Sequence, residues 1–230
     1  GIQSVEKFSA QRSHVENASL INPLDSRLRG NDGLNDVHLS AKGVFFGYDF
    51  HLNSDGAHLI EINTNAGGGF LNTLLLDSQH ETGLPGLAVA AANLEQIFLE
   101  MFQNEWRLAR GNEPLNTVAI VDAQPEAQYL YPEFLLAQRM FERAGIAAYI
   151  VDPVMLQARG DGLYLESRKI GLVYNRLTDF SLQHHPALRQ AYQEGSIVLT
   201  PDPAHYARYA EKRNLARLSD AQALRALGAS

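Results

Sequence analysis

Three oxygen-bearing side chains, Asp49, Glu61 and Asn63, have the types and spacing of ligands for a divalent cation. Mg²⁺ in proteins binds one or two carboxylates and other hard oxygens, and it completes its shell with water and substrate phosphates. Two carboxylates that face each other in a bare sheet repel, so a cation between Asp49 and Glu61 would turn a destabilising pair into a stabilising one. These residues therefore predict a magnesium site, provided that the fold brings them together.

A β-hairpin is the element that would bring them together. Residues 44–52 and 57–63 are rich in aromatic and aliphatic residues, and they flank Ser54-Asp55-Gly56, which we expect to form a three-residue loop. This loop places Asp49 opposite Glu61, and the alternation of strand side chains gives the hairpin a polar and an apolar face. The polar face holds Asp49, His51, Glu61 and Asn63. The apolar face, which we expect to be a core face, holds Phe46, Tyr48, Phe50, Leu52, Ile60 and Ile62. A shift of one residue would reverse the face of Asp49.

Three consecutive glycines, Gly67, Gly68 and Gly69, follow the second strand. Their backbone N–H groups are not covered by side chains, so they can surround an anion or a developing oxyanion. Both features also have a simpler interpretation. An amphipathic hairpin can turn its polar face to water, and a run of glycines can be only a loop.

The composition bounds the class of protein. The chain has 230 residues, 45% hydrophobic and 20% charged, as in a globular protein with ample material for a core. A net charge of −7 without a basic stripe argues against a nucleic-acid partner. No apolar run approaches the ~18 residues that span a bilayer and no signal-peptide layout is present, so we expect no membrane partner. The chain contains no cysteine, which excludes disulfides and thiolate metal sites and fits a cytoplasmic location.

The pattern along the chain predicts four segments. Residues 1–36 are polar and aperiodic, which predicts a poorly structured segment, and they resemble translated bacterial intergenic repeats at "GIQS" and "SRLRGNDG". Residues 37–111 combine the hairpin with a helix over 86–109. Residues 112–203 alternate strands with helices, as in a parallel sheet with covering helices, and residues 204–230 form a terminal helix. Within 112–203 we predict strands at 117–122, 146–152, 163–166, 170–175 and 196–200, and helices at 132–144 and 186–194.

The hairpin sequence also resembles a known motif. "GYDFHLNSDGAHLIEINTNAGG" (47–68) is similar to the terminal metal-binding motif of ATP-grasp ligases such as D-alanine–D-alanine ligase and glutathione synthetase. The segments "TVAIVDAQPEAQYLYPEFLLAQRMFERAGIAAYIVDP" (117–153) and "LVYNRLTDF" (172–180) resemble a pre-ATP-grasp domain. In most ATP-grasp enzymes the metal motif comes last, whereas here it comes first. The order therefore resembles that of circularly permuted ATP-grasp proteins, a group with relatives of glutathionylspermidine synthase.

This resemblance implies a fold and an activity. The fold is α/β, with part of an ATP-grasp subdomain (an antiparallel hairpin plus a helix) joined to a Rossmann-like parallel sheet. The activity is the ATP-dependent ligation of a small-molecule carboxylate to an amine through an acyl phosphate, with Mg²⁺ as cofactor and ATP as substrate.

The resemblance also implies roles for individual residues. The metal ligands are Asp49, Glu61 and Asn63, the glycines against the reacting carboxyl are Gly67 and Gly68, and the nucleotide-contacting residues are Asn65 and Gly69. The candidates for substrate contact are Arg176, Asp179 and His51. Arg176 and Asp179 follow the carboxyl end of a strand, where ligands bind in open α/β sheets. The alternative for these two residues is an Arg–Asp pair on the surface.

In the permuted order, the segment after "EKRNLARLSD" (211–220) would carry the lysines, adenine-binding strand and glycine loop that complete the nucleotide clamp. We expect that half to be missing, and the isolated chain to have weak or no ligase activity. The expected partner is either the missing ATP-grasp half or a second copy of the chain. The alternative function is a non-catalytic α/β remnant or a binding module that needs a partner segment.

Overall fold

A computed structural model describes residues 42–80, 91–226 and 228. The predicted segment 1–36 and the first residues of the predicted helix 86–109 lie outside the described residues. The strands are β1 (Gly47–Asn53), β2 (Gly56–Asn63), β3 (Thr117–Val121), β4 (Ala147–Val151), β5 (Leu156–Arg159), β6 (Gly162–Leu165), β7 (Arg168–Ile170), β8 (Leu172–Asn175) and β9 (Val198–Thr200). The helices are α1 (Gly69–His80), α2 (Ala91–Arg110), α3 (Tyr131–Arg143), α4 (Pro186–Gln193), α5 (Pro203–His205), α6 (Arg213–Leu218) and α7 (Ala221–Ala226). A π-helical turn, Tyr206–Ala210, continues α5.

The fold is mixed α/β, and a parallel sheet is its centre. Four strands hydrogen-bond in the order β4-β3-β8-β9, and all three neighbouring pairs are parallel. Parallel neighbours require a crossover, which α3 supplies between β3 and β4, and α4 between β8 and β9. The predicted alternation of strands and helices over 112–203 is confirmed in this respect.

The two faces of this sheet bury two separate clusters. On one face, Val118 and Ile120 pack with Phe134 of α3 and Phe102 of α2. On the other face, Ala119 and Val121 pack with Leu188 of α4 and with the small antiparallel sheet β5-β6-β7. Strand residues alternate between faces, so a run such as "TVAIV" is apolar throughout because both sides are covered. Helices on both faces make this a doubly wound sheet.

Glycines end two of the helices where the sequence predicts. Gly111 follows α2 with φ +64°, and Gly145 follows α3 with φ +77°. Both values lie in the left-handed region that terminates helices and that glycine adopts without a steric cost. α1 was not predicted, because its first residue is the last of the three glycines and glycine weakens a helix signal.

The hairpin β1–β2 joins the rest of the described chain through the residues on either side of it. Val44 and Phe70 belong to the same buried cluster as Phe102 and Ile120, so residues from both sides of position 111 share one core. Phe45 packs edge-to-face on Phe98, with ring centroids 4.9 Å apart. Among the described residues, no helix is long and apolar enough to cross a membrane.

Candidate functional site

The hairpin pairs Asp49 with Glu61 and Gly47 with Asn63, as predicted. The predicted three-residue loop is wrong. Asn53 pairs with Gly56, which leaves a two-residue turn, and the register shifts by one residue between Asp49 and Phe50. The shift is a bulge at Ile60, since Phe50 pairs with Leu59 while Asp49 pairs with Glu61. The turn is one residue shorter than predicted and β2 has one extra residue at the bulge. These two differences cancel, so Asp49 still pairs with Glu61.

The bulge also changes which side chains share a face. Between the bulge and the turn, His58 pairs with His51 and therefore lies on the polar face, whereas Leu59 pairs with Phe50 and Ala57 with Leu52 on the apolar face. A 3.0 Å hydrogen bond between Nε2 of His58 and Oδ1 of Asn53 is consistent with this arrangement. Because of the bulge, His58 lies on the same side of β2 as Glu61 and Asn63. In a regular strand, the alternation of side chains would place it on the opposite side.

The predicted metal ligands lie on this polar face. Asp49 and Glu61 are both exposed, and neither carboxylate makes a hydrogen bond or ion pair with another described residue. The Oδ1 of Asn63 accepts a 2.8 Å hydrogen bond from the backbone N–H of Asn65, which fixes its amide beside the strand end. Within the described ranges, no group of three or more His, Asp or Glu is arranged to hold a metal ion. The predicted set is of another kind, because it combines two carboxylates with one amide oxygen.

The apolar face of the hairpin is exposed, so the prediction that it is a core face is wrong for most of its residues. Tyr48, Phe50, Leu52 and Ile60 keep between 52% and 73% of their surface exposed. The physical reason is the placement of the neighbours. Outside the hairpin, β2 packs mainly on the turn 206–210 and on α6, whereas the main neighbour of β1 among the described elements is β2.

The glycine turn after β2 is bound to the parallel sheet by Arg176. Nη1 of Arg176 donates to Oδ1 of Asn65 at 2.5 Å and to the carbonyl oxygen of Ala66 at 3.0 Å. Nδ2 of Asn65 donates in turn to the carbonyl oxygen of Leu177 at 3.2 Å. Asn65 and Arg176 are both buried, with Arg176 only 6% exposed. Arg176 therefore holds the hairpin motif against the sheet.

A side chain at Gly67 would crowd the ends of two neighbouring side chains. A Cβ at this position would stand 2.5 Å from Cδ1 of Leu130 and 3.1 Å from Nη2 of Arg176. Gly68 adopts φ +91°, a conformation that side chains strongly disfavour. Close approach at Gly67 and backbone conformation at Gly68 therefore favour glycine at two of the three positions.

Arg176 stands at the switch point of the parallel sheet. It directly follows β8, and its backbone N–H donates to the carbonyl oxygen of Val121, the last residue of β3, at 2.9 Å. The helices after β3 and β8 lie on opposite faces, which makes the gap between these two strand ends the kind of position where ligands bind in open α/β sheets. Asp122 follows β3 at this edge, and burial raises its pKa, although the charge of Arg176 acts in the opposite direction. An acidic and a cationic residue therefore follow adjacent strands at this switch point.

A buried acid that the sequence did not reveal faces the glycine turn. Glu133 of α3 is 1% exposed, and neither of its carboxylate oxygens has a hydrogen-bond partner among the described residues. Burial raises the pKa of Glu133, and the opposing influences are the charge of Arg176 and the backbone N–H groups of Gly68, Leu71 and Gly69. These N–H groups lie at the start of α1, where the helix dipole favours a negative charge. The one sequence signal is an acid inside the apolar run "YPEFLL".

Tyr174 completes this buried polar cluster. Its ring lies under the guanidinium of Arg176, at 5.4 Å from the ring centroid, and its hydroxyl has no hydrogen-bond partner among the described residues. Burial raises the pKa of Tyr174 to about 12, so it stays neutral. Nε of Arg176 is unpartnered as well. Glu133, Tyr174 and Arg176 therefore hold most of the unsatisfied buried polar atoms in the described chain.

The remaining predicted residues lie apart from this cluster. Asp179 accepts hydrogen bonds from the backbone N–H of His184 at 2.8 Å and from Oγ of Ser181 at 3.3 Å, within its own loop. Burial opposes ionisation of Asp179, but hydrogen bonds from the backbones of His184 and Gln183 outweigh it and lower its pKa. Arg176 is buried and bonded to Asn65, so the alternative of a surface Arg–Asp pair is wrong. His51 lies exposed on the polar face of the hairpin.

No protein-family model matches the chain, and no curated protein matches it.

Proposed function

We propose that the chain carries the metal-binding side of an ATP-dependent carboxylate–amine ligase site. The observation that carries this proposal is the pairing of Asp49 with Glu61 across the hairpin, with both carboxylates exposed and Asn63 at the end of the same face. Directly opposed carboxylates destabilise a sheet unless a cation lies between them. The resemblance of residues 47–68 to the ATP-grasp metal motif supports the same assignment.

The donor set fits magnesium. Two carboxylates and one amide oxygen are hard ligands, and they leave coordination positions for water and phosphate oxygens. Mg²⁺ bound there would neutralise the charge that develops on transferred phosphate oxygens. Asn63 contributes a fixed oxygen, because the backbone N–H of Asn65 holds its side chain in place. His51, next along the same face, is our candidate for contact with the bound substrate.

The glycine turn forms the floor of the proposed acyl site. Gly67 lets the backbone approach Leu130 and Arg176 closely, and Gly68 supplies the positive φ that the turn needs. Arg176 is hydrogen-bonded to the residues just before this turn and Glu133 faces its backbone N–H groups. Together they set the position of the turn relative to Asp49 and Glu61. The side chains of Asn65 and Arg176 are already hydrogen-bonded to each other. We therefore propose that Arg176 binds a substrate carboxylate only through its remaining N–H groups.

A thermal-shift titration with Mg²⁺-ADP tests the proposal. We expect the wild-type chain to gain a Mg²⁺-dependent rise in Tm that Glu61→Gln abolishes. The matched control is Glu100→Gln, which changes an exposed glutamate on α2 whose polar partner among the described residues is Gln96. A rise in Tm that survives Glu61→Gln, or that Glu100→Gln abolishes equally, would contradict the metal assignment.

A second function, from another class, is favoured by a different observation. The exposed apolar face of the hairpin, which includes Tyr48, Phe50 and Leu52, is typical of a surface that binds another polypeptide. On this alternative the chain is a non-catalytic binding module. The same titration separates the two, because a binding module would show no Mg²⁺-dependent stabilisation while it would still associate through β1.

A further inference from the structure

The edge of β1 that faces away from β2 has a sequence that complements itself. β1 reads Gly47-Tyr-Asp-Phe-His-Leu-Asn53, and among the described residues its strand neighbour is β2 on one side only. Its apolar residues Tyr48, Phe50 and Leu52 alternate along the strand and are all more than half exposed. An extended, apolar edge with unpaired backbone groups is a template for another strand.

We propose that a second copy of this chain covers the edge, with the two β1 strands antiparallel about a two-fold axis at Phe50. This register pairs all seven residues of the strand. It places Tyr48 opposite Leu52 of the second copy and Phe50 opposite Phe50, so the apolar faces of the two hairpins become one surface. It also places Asp49 opposite His51 of the second copy, an acid opposite a base, twice across the axis.

Other registers lack this match. In a two-fold antiparallel pair of β1 strands, the two apolar faces lie on the same side of the sheet only when the axis passes through a residue, because side chains alternate along a strand. An axis at Asp49 sets that carboxylate opposite its own copy, and opposed like charges destabilise a strand pair. An axis at His51 leaves residues at one end of β1 unpaired. The axis at Phe50 is the arrangement in which overlap, apolar contact and charge all agree, and two-fold dimers are the commonest symmetric assembly.

Sedimentation velocity over a range of protein concentrations tests whether the dimer exists. We expect a concentration-dependent dimer that Phe50→Lys abolishes, because a lysine on an edge strand blocks strand addition. The matched control is Ile97→Lys on α2, since Ile97 and Phe50 are both 52% exposed. A wild-type chain that stays monomeric, or a dimer that Phe50→Lys leaves intact or that Ile97→Lys disrupts equally, would overturn the proposal. The wild-type result stands even if Phe50→Lys perturbs the hairpin.

Single cysteines in this cysteine-free chain test the register. Directly opposed residues in antiparallel strands have Cα atoms about 4.5–5.5 Å apart, within the range of about 4.4–6.8 Å that disulfides span. Phe50→Cys should therefore cross-link with itself under mild oxidation, and Tyr48→Cys with Leu52→Cys. Leu52→Cys alone should not, because its copy lies about 13–14 Å away along the strands.

The cross-links also identify other occupants. Cross-linking of Leu52→Cys with itself, or no more cross-linking of Phe50→Cys than of Ile97→Cys, would contradict the register and favour a different polypeptide on this edge. The inference does not depend on the proposed reaction. Failure of the Mg²⁺ titration would leave the dimer standing, and a monomeric chain would leave the metal assignment standing.

Discussion

Replacing Arg176 by methionine probes the contact that ties the hairpin motif to the parallel sheet. The change keeps much of the apolar stem but removes the two charge-assisted hydrogen bonds to Asn65 and Ala66. It also leaves the carboxylate of Glu133 buried without its nearby positive charge. Hydrogen bonds to a charged group are worth about 1.5–3 kcal/mol each, so we expect the loss of these two to cost about 3–5 kcal/mol.

Urea unfolding followed by circular dichroism measures this cost. For a domain of this size each kcal/mol corresponds to a few degrees, so we also expect Tm to fall by about 6–20 °C. The control is Arg143→Met, which removes an exposed ion pair with Glu95. Exposed pairs contribute about 0–1 kcal/mol, so the same substitution should be nearly silent there.

A double-mutant cycle separates the lost hydrogen bonds from the uncompensated charge. If Glu133 is destabilising once Arg176 is gone, then Glu133→Gln should restore about 1–3 kcal/mol to Arg176→Met, the size expected for coupled neighbours. An Arg176→Met cost no larger than that of Arg143→Met would refute the structural role of Arg176. An equal effect of Glu133→Gln with and without Arg176 would refute the electrostatic coupling of the two side chains.

Three further predictions concern single side chains. Burial raises the pKa of Glu133 above its ordinary 4.5, so the stability that protonated Glu133 contributes is present below pH 4.5 and is lost as the pH rises through the raised pKa. Glu133→Gln should therefore stabilise the chain at pH 7 and flatten this part of a stability–pH profile measured by urea unfolding. Glu105→Gln should instead cost about 1.5–3 kcal/mol in the same assay, because this equally buried carboxylate accepts from the N–H groups of Lys42 and Gly43 and from Oγ1 of Thr200; equal effects of the two glutamine variants would contradict the account. Gly67→Ala should cost about 1–3 kcal/mol by crowding Leu130, whereas Gly160→Ala, with no atom within 4 Å of the new Cβ, should change stability by less than about 0.5 kcal/mol.

Local patterns in the sequence predicted much of the fold. Short apolar runs such as "TVAIV" became parallel strands, and Gly111 and Gly145 ended helices, because these signals act within a few residues. The pairing of Asp49 with Glu61 was predicted for a partly wrong reason. The expected turn was one residue too long, and the bulge at Ile60 compensated for it. A bulge depends on how the strand bends against its surroundings, and its residue types alone do not mark it.

The buried part of the candidate site could not be predicted in this way. Glu133 and Arg176 are far apart in sequence, and only the doubly wound sheet brings α3 and the end of β8 to the same glycine turn. Arg176 was expected to face substrate, but its burial and its bonds to Asn65 depend on tertiary contacts over more than a hundred residues. The apolar face of the hairpin was expected to be a core face, because alternation predicts which residues share a face and not what covers that face.

The central claim, that Asp49, Glu61 and Asn63 form a divalent metal site, is tested most directly by paramagnetic relaxation. Mn²⁺ prefers the same oxygen ligands as Mg²⁺ and broadens nearby amide signals in a ¹⁵N correlation spectrum. We expect selective broadening of the amides of residues 49, 61 and 63, reversed by excess Mg²⁺ and absent in Glu61→Gln. Broadening centred instead on another exposed acid such as Asp161, or the same pattern in Glu61→Gln, would contradict it.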